Sequence, residues 1–408
     1  MNHSKSNLSM AHFNVNNMKI IPNLVFLNLI IISLNSSAQQ NINRELENSF
    51  QTDRLRKNIL IPNLPGYLTL KGDFHTHTIF SDGSVTPDFR VVEAWTEGLD
   101  IIAITDHIEH RPNKNILPNN LNLGYELASS KAKELDIILI PGAEISKKMP
   151  NPGHFNLLFV KDVNKLVNED PMTQIEEAIK QDAFIIWNHP GSSWVKPIVE
   201  TTQYWEIHKD LLMKGWLHGI EVFNTDEWFP IALEWCNKDS LTIFSNTDIH
   251  TPINYWYDLS ESTNHRAMTL VFASSRNVES VKEALFEKRT IGFFGNTLVG
   301  SEQLLTELFN VSVKLVNNHK LSDKNGRTVF FSELQNPTDI PFILKKTGNN
   351  KNNDRSDLIK LKPRSNHLIS YSSEIEYMEF ELINCYVTKH KHPIIKLNTN
   401  KCSVMNQK

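Results

Sequence analysis

Two histidines separated by one residue, His75 and His77, begin a series of segments whose side chains suit divalent metal ions. The first segment reads Asp73-Phe74-His75-Thr76-His77 and is followed by Ser81-Asp82-Gly83. Later segments are Thr105-Asp106-His107, Gly142-Ala143-Glu144, His154, Asn188-His189-Pro190 and Asp248-Ile249-His250. Alternate residues of an extended strand project to the same side, so both imidazoles of the first pair can reach one ion. Taken singly, each segment is as well explained by a hydrogen-bonded His or a turn. Taken together, they would bury many polar and charged groups, which is costly without a compensating cation. A metal cluster accounts for the set, and mixed imidazole and carboxylate ligation suits Mn, Zn or Fe. A water bridging two such ions becomes a hydroxide nucleophile near neutral pH, while the ions neutralise negative charge developing on a bound substrate. No Ser or Cys nucleophile is required.

The elements that must position these residues can be read from apolar periodicity. Strand-like runs occur at Tyr67–Asp73, Asp100–Thr105, Ile137–Pro141, Phe155–Val160, Phe184–Trp187, Ile220–Phe223 and Leu241–Phe244. Most are continuously apolar, as expected of strands covered on both faces. Helical patterns separate them at Pro87–Glu97, Tyr125–Leu135, Thr173–Gln181, Tyr204–Met213 and Pro230–Lys238. Thr86 and Pro87 form a helix start, and Gly98 stands where a C-terminal cap belongs. The alternation predicts an α/β barrel or doubly wound sheet, and the ligand types cluster at strand C-terminal ends, which converge on one face of a barrel. His154 precedes its strand. The short connection Ser146–Gly153, with Pro150 and Pro152, suits a hairpin, and an antiparallel strand would return His154 to the same face. After Gly300 the runs Phe309–Val316, Thr328–Leu334, Pro341–Lys346, Leu358–Leu361 and Ile375–Val387 predict a small antiparallel β domain of sandwich type, with a polar loop at Gly348–Asp357.

The chain has 408 residues, a net charge of −4 and 16 His. That charge balance gives no global field for nucleic acid, and no nucleic-acid partner is expected. Lys19, the apolar stretch Leu24–Leu34 and the small residues ending at Ala38 predict a secretory signal over residues 1–38, with Met18 as an alternative start. The apolar stretch is too short for a stable membrane span, so the expectation is an exported, periplasmic or secreted protein. A linker over 39–65, a barrel over 66–300 and a β domain over 301–408 complete the expected organisation. The three Cys are too few for a disulfide framework, although Cys385 and Cys402 could pair on export.

The segments GDFHTHTIFSDGSVTP, ITDH, PGAE, NHPG and NTDIH resemble the motifs of the PHP superfamily, named for its polymerase and histidinol phosphatase members. The resemblance covers residues 68–300 and implies a distorted seven-stranded β/α barrel with a trinuclear metal site. It implies that His75, His77, Glu144 and Asp248 hold one ion, and that Glu144 bridges to a second held by His154 and His189. Asp82, His107 and His250 would hold the third, and some relatives have His where Asp82 stands. A bridging hydroxide held through Glu144, His75 and His77 would be the nucleophile. The leader, the segment beginning at Arg266, the run from Arg289 to Asn296 and the β tail resemble the Sb-PDE branch, described as phosphodiesterases. The expected substrate is therefore a small-molecule phosphate ester, with diesters favoured. The same residues leave open a histidinol-phosphatase-like monoesterase, an amidohydrolase-type C–N hydrolase, or an exported metal-binding module without turnover.

Outside the ligand set, Arg111 and Lys147 could neutralise phosphate charge, although solvated surface charge is the plainer reading. Arg266 could form a structural ion pair. Trp194, Tyr255 and Trp256 could wall a pocket for an ester group, and Asp106 and Asn188 could orient ligand imidazoles.

Overall fold

Short apolar runs without a polar face, such as Ile101–Ile104 and Phe184–Trp187, require a sheet covered on both sides, and every residue of both is buried. A computed structural model describes residues 56–147, 151–192, 202–261, 264–322, 324–326, 328–347, 358–371 and 376–399. The first elements are β1 (Leu68–Asp73), α1 (Pro87–Thr96), β2 (Ile101–Ile104), α2 (Leu123–Glu134), β3 (Ile138–Ser146) and β4 (His154–Leu158). They are followed by α3 (Pro171–Lys180), β5 (Phe184–Trp187), α4 (Glu206–Met213), β6 (Gly219–Asn224), β7 (Glu227–Trp228), α5 (Pro230–Asp239) and β8 (Thr242–Asn246). Next come β9 (Met268–Ala273), α6 (Val278–Phe286), β10 (Thr290–Phe294), β11 (Thr297–Gly300) and α7 (Glu302–Ser312). The tail holds β12 (Lys314–Ser322), β13 (Thr328–Asn336), β14 (Phe342–Lys346) and β15 (Leu358–Leu361). It ends with β16 (Ser365–Tyr371), β17 (Tyr377–Leu382), β18 (Cys385–Tyr386) and β19 (Ile394–Asn398).

One mixed sheet curls through the order β18-β11-β10-β9-β1-β2-β3-β4-β5-β6-β7, with β8 also paired to β6. The pairs β1–β2, β2–β3, β5–β6 and β6–β8 are parallel, whereas β4 runs antiparallel to both β3 and β5. Register sets Ser146 opposite His154, so the hairpin returns His154 beside the end of β3. The two margins meet beyond the strand ends. Thr76 and Ile249 form an isolated parallel bridge, Asp248 N donates to His75 O at 2.9 Å, and His77 N donates to Ile249 O at 3.0 Å. The class is α/β with a curled, mixed half-barrel. It has more strands than the seven expected, because β7, β9, β10, β11 and β18 add to it.

Helix α1 shows how the local sequence positions an element. Thr86 is extended, Pro87 opens the helix, and Gly98 has φ +81° just after it. A Cβ at Gly98 would come within 2.5 Å of Lys57 O, so the glycine also admits the chain segment entering the barrel. That segment, expected as part of a linker, is described from Arg56, which pairs with Asp100 at 2.8 Å. Leu60 N donates to Asp339 Oδ2 at 2.7 Å, tying it to the tail.

The tail forms two antiparallel sheets, β12-β13-β16 and β15-β14-β17-β19. Two of its expected elements need correction. Phe309 belongs to α7, not to a strand: Ser301 accepts from Leu304 N at 3.2 Å, and Leu305, Leu308 and Phe309 face inward at helical spacing. The run Ile375–Val387 contains two strands, and β18 leaves the tail to pair in parallel with β11 of the barrel sheet. Cys385 is a buried free thiol, while its proposed partner Cys402 lies outside the described residues. The leader, Trp194 and the loop 348–357 also lie outside them. Among the described residues, no helix is long and apolar enough to cross a membrane.

Buried His208 supplies a test of this packing. Its ring stacks on Trp187 with centroids 3.7 Å apart. Nδ1 accepts the Trp205 N–H at 3.1 Å, and Nε2 lies 2.9 Å from Pro152 O, to which it donates. Burial pushes its pKa down from 6.5 to about 3, with the Pro152 carbonyl opposing in part. Between those values the unfolded chain binds a proton that the folded chain does not, so stability should rise with pH across the window. His208→Gln should lower the thermal midpoint yet reduce its fall between about pH 7.5 and about pH 5. An equal fall in both proteins would contradict a neutral, buried His208.

Candidate metal centre

All of the sequence-derived ligand candidates lie at strand ends on one face. His75 and His77 follow β1, His107 follows β2, Glu144 lies in β3, and His154 starts β4. His189 follows β5, and Asp248 and His250 follow β8. Asp82 arrives on the loop after β1. There Gly83 N donates to Thr78 O at 3.0 Å, and a Gly83 Cβ would meet Thr78 N at 2.6 Å, so this close turn admits only glycine. His189 and Asp248 have φ of +28° and +53°, conformations uncommon outside glycine that concentrate at functional sites.

Glu144, with no solvent exposure, is the centre of the group. Its Oε1 lies 3.1 Å from His154 Nδ1, 3.4 Å from His75 Nε2 and 3.7 Å from His189 Nε2. Its Oε2 lies 2.7 Å from His107 Nδ1 and 3.4 Å from His77 Nε2. Asp248 Oδ1 is 3.0 Å from both His75 Nε2 and His77 Nε2. Asp82 Oδ1 is 3.2 Å from His250 Nε2 and 3.5 Å from His107 Nε2. Ligand atoms cluster within 4.8 Å in three overlapping groups: His77, Asp82, His107 and His250; His75, Glu144 and His189; His75, His77 and Asp248.

Burial opposes charge throughout the cluster, but the neighbours outweigh it at the carboxylates. Glu144 is held well below the usual carboxylate range by His107, His75 and His154. Asp248 is lowered by His75 and His77, and Asp82 by His250 and His107. Against its burial, His250 is pushed up to about 9 by Asp82 and Asp248. Burial, then His250 and His107, lowers His77 well below 6.5.

These residues fit divalent cations. His75 Nε2, His77 Nε2, Asp82 Oδ1, Glu144 Oε2 and Asp248 Oδ1 are buried without a partner in hydrogen-bond geometry. Leaving such atoms unsatisfied costs about 1–3 kcal/mol each, and more when charged. Cations among the imidazoles and carboxylates satisfy them.

A surrounding layer fixes the ligands. Glu221, buried in β6, places Oε1 2.8 Å from His75 Nδ1, which leaves His75 Nε2 directed at the cluster. Glu221 also accepts from Asn246 Nδ2 at 2.9 Å, Asn224 Nδ2 at 2.8 Å and His189 N at 2.8 Å. Asn188 donates to Glu144 Oε1 at 2.8 Å, so it orients the carboxylate, not an imidazole. Asp106 accepts from Thr78 N and Ser81 Oγ, both at 2.7 Å, and thereby holds the loop carrying Asp82. Buried Arg90 donates to the carbonyls of His77 (2.9 Å), Ile249 (3.3 Å) and Thr251 (3.0 Å). Arg266 pairs with buried Asp73, which also accepts from Thr247 Oγ1 at 2.5 Å.

The side chains considered for phosphate are engaged with protein groups, Arg111 also donating to Phe80 O at 3.4 Å in the loop that carries Asp82. Arg111 donates to Asn119 Oδ1 at 2.7 Å within its own loop, and Lys147 pairs with Glu109 at 2.9 Å. Tyr255 is 75% exposed, and Trp256 lines a cleft beside Asp248 and His250. Sequence reasoning missed Glu221, Arg90 and His110. His110 Nε2 lies 3.6 Å from Asp82 Oδ2, and its only sequence signal is its spacing three residues after His107. A lone Glu in a buried apolar strand was the signal for Glu221.

Fold and cluster together define a metal-dependent hydrolase built on a curled α/β sheet. Residues 73–186 match the PHP domain family, and residues 313–398 match an Ig-like domain family. A solved structure from Bacteroides vulgatus is of a two-domain protein containing a predicted PHP-like metal-dependent phosphoesterase. It is 38% identical, with TM-score 0.78, and the match covers 84% of this chain and 99% of that one. An uncharacterized protein of Methanocaldococcus jannaschii is 30% identical over 138 residues, which is 33% of this chain. A 5'-3' exoribonuclease of Haemophilus influenzae is 33% identical over 86 residues, which is 21% of this chain. The chain spans 52% and 27% of the lengths of these two curated relatives. The chain belongs to the PHP superfamily of metal-dependent phosphoesterases.

Two substitutions probe the supporting layer. Glu221→Gln should keep the fold but weaken metal affinity about 10–100-fold, read by competition with a chromogenic chelator. Unchanged affinity would show that His75 needs no carboxylate behind it. Arg266→Met leaves Asp73 buried without its cation and should cost about 3–5 kcal/mol in urea unfolding. A loss below about 1 kcal/mol would show the pair to be dispensable.

Proposed function

We propose that the protein hydrolyses phosphodiesters of small alcohols at a trinuclear centre. The observation that carries this reading is the convergence of the unsatisfied atoms of His75, His77, Asp82, Glu144 and Asp248 on one buried locus. The ligand groups would be His75, His77, Glu144 and Asp248; Glu144, His154 and His189; and Asp82, His107 and His250. Divalent Mn, Zn or Fe ions held there would supply Lewis acidity for the phosphoryl oxygens and a nucleophilic water near neutral pH.

The chain's own contribution is preorganisation. Glu221 holds the proton of His75 on Nδ1, Asn188 fixes the face that Glu144 presents, and Arg90 holds the carbonyl of His77 and the two carbonyls flanking His250. In the reaction a water oxygen joins phosphorus, the P–O bond to one alcohol breaks, and that alcohol leaves with the water proton. A phosphomonoester remains. Substrate charge favours the diester: the cleft beside Asp248 and His250, about 460 Å³, has no Lys or Arg among its described lining residues. A dianionic monoester would meet the Asp226 carboxylate there, with no lysine or arginine among the described lining residues to offset it. The leader-like N-terminal segment supports an exported enzyme acting on external esters.

Steady-state kinetics on bis(4-nitrophenyl) phosphate and 4-nitrophenyl phosphate should give a kcat/KM at least about tenfold higher for the diester. A monoester preference would overturn the diester assignment. His77→Ala should remove most of the activity together with bound metal, and wild-type turnover in that variant would place the activity elsewhere.

A further inference from the structure

The cleft that reaches the metal centre is acidic and aromatic at its outer wall. Asp226, Glu227 and Trp256 line it together with Asp248 and His250. Trp256 leaves 63% of its surface open to solvent, a large ring face held out at a cleft next to the reacting centre. The two walls are tied together. Tyr257 Oη donates to Thr225 O at 2.7 Å, joining the turn after Ile253–Tyr255 to the turn that carries Asp226. Thr225 donates its N–H to Asn246 O at 3.1 Å and its Oγ1 to Thr247 O at 2.9 Å. Asp226 and Trp256 are thus both anchored to the end of β8, next to Asp248. Thr225 holds φ +53°, a conformation unfavourable for a β-branched residue.

This wall is badly matched to phosphate. The exposed Asp226 carboxylate at the cleft rim repels an anionic ester, so it weakens binding unless another part of the substrate is positive. An exposed indole sharing a cleft with a carboxylate is an arrangement that recognises an ammonium group, by cation–π attraction and by charge. The phosphate of such a substrate would face the metal ligands Asp248 and His250, while its cationic arm would lie against Trp256 and Asp226.

We propose that this cleft is a specificity subsite for a cationic ester arm. The preferred substrates are then phosphodiesters in which one alcohol carries an ammonium or trimethylammonium group. The inference rests on the phosphodiesterase reading for its substrate class, but the subsite can be tested apart from turnover.

Choline and 3,3-dimethylbutan-1-ol have nearly the same shape and differ in charge. In titration calorimetry of the full chain, choline should bind at least about tenfold more tightly than the neutral alcohol. Asp226→Asn and Trp256→Ala should each erase most of that difference. In parallel, kcat/KM for 4-nitrophenyl phosphocholine should exceed that for 3,3-dimethylbutyl 4-nitrophenyl phosphate by about tenfold or more. Equal binding of the two alcohols, or unchanged choline binding in both variants, would overturn the subsite. Choline binding with no diester turnover would uphold the subsite and defeat the phosphodiesterase reading. Diester turnover without cationic preference would uphold that reading and defeat the inference.

Discussion

Glu144 is a carboxylate with no contact with solvent, surrounded by the imidazoles of His75, His77, His107, His154 and His189. An isolated charge in that position would carry a large desolvation penalty and would protonate instead. It is held ionised because its neighbours favour its charge, and the same holds for Asp248 and Asp82. The cluster is therefore cooperative in an electrostatic sense. Each of these side chains is tolerable in the interior only while the others are present, and cations held among them would complete the compensation. This requirement explains why the strand ends must meet within a few ångströms and why their backbones adopt uncommon conformations at His189 and Asp248.

The meeting is enforced by groups that are not ligands. The mixed sheet has no continuous ladder between β8 and β1. In its place are the Thr76–Ile249 bridge, the Arg90 side chain on three carbonyls, and the Asp73–Arg266 pair. These contacts join the segment after β1, which carries His75 and His77, to the segment after β8, which carries Asp248 and His250. The buried arginines thus couple barrel closure to site geometry, because the backbone they hold is the backbone that aims the imidazoles.

The C-terminal sheets share an apolar core with the barrel. Buried residues of α1, α2 and β9 fall in one apolar cluster with Phe309 of α7 and with Phe342, Phe380 and Leu397 of the tail. Strand β18 adds directly to the barrel sheet. A tail joined in this way buttresses the β9–β11 margin, which itself flanks β1.

Much of the metal centre was legible in the sequence because polar ligand types interrupt the ends of apolar runs, and period-two spacing sets His75 and His77 on one side. The His154 hairpin was legible from the short, proline-rich connection after β3. The last residues of helix α7, from Phe309 on, read as a strand because their alternation runs on into β12 and masks the inward spacing of Leu305, Leu308 and Phe309. Sequence by itself determined the candidate donors, since they belong to residue types and local period. Tertiary structure alone decided which carboxylate stands behind His75, what Arg90 and Arg266 hold, and that Asp226 and Trp256 share a cleft. Those pairings join residues far apart in the chain, and only the curl of the sheet brings them together.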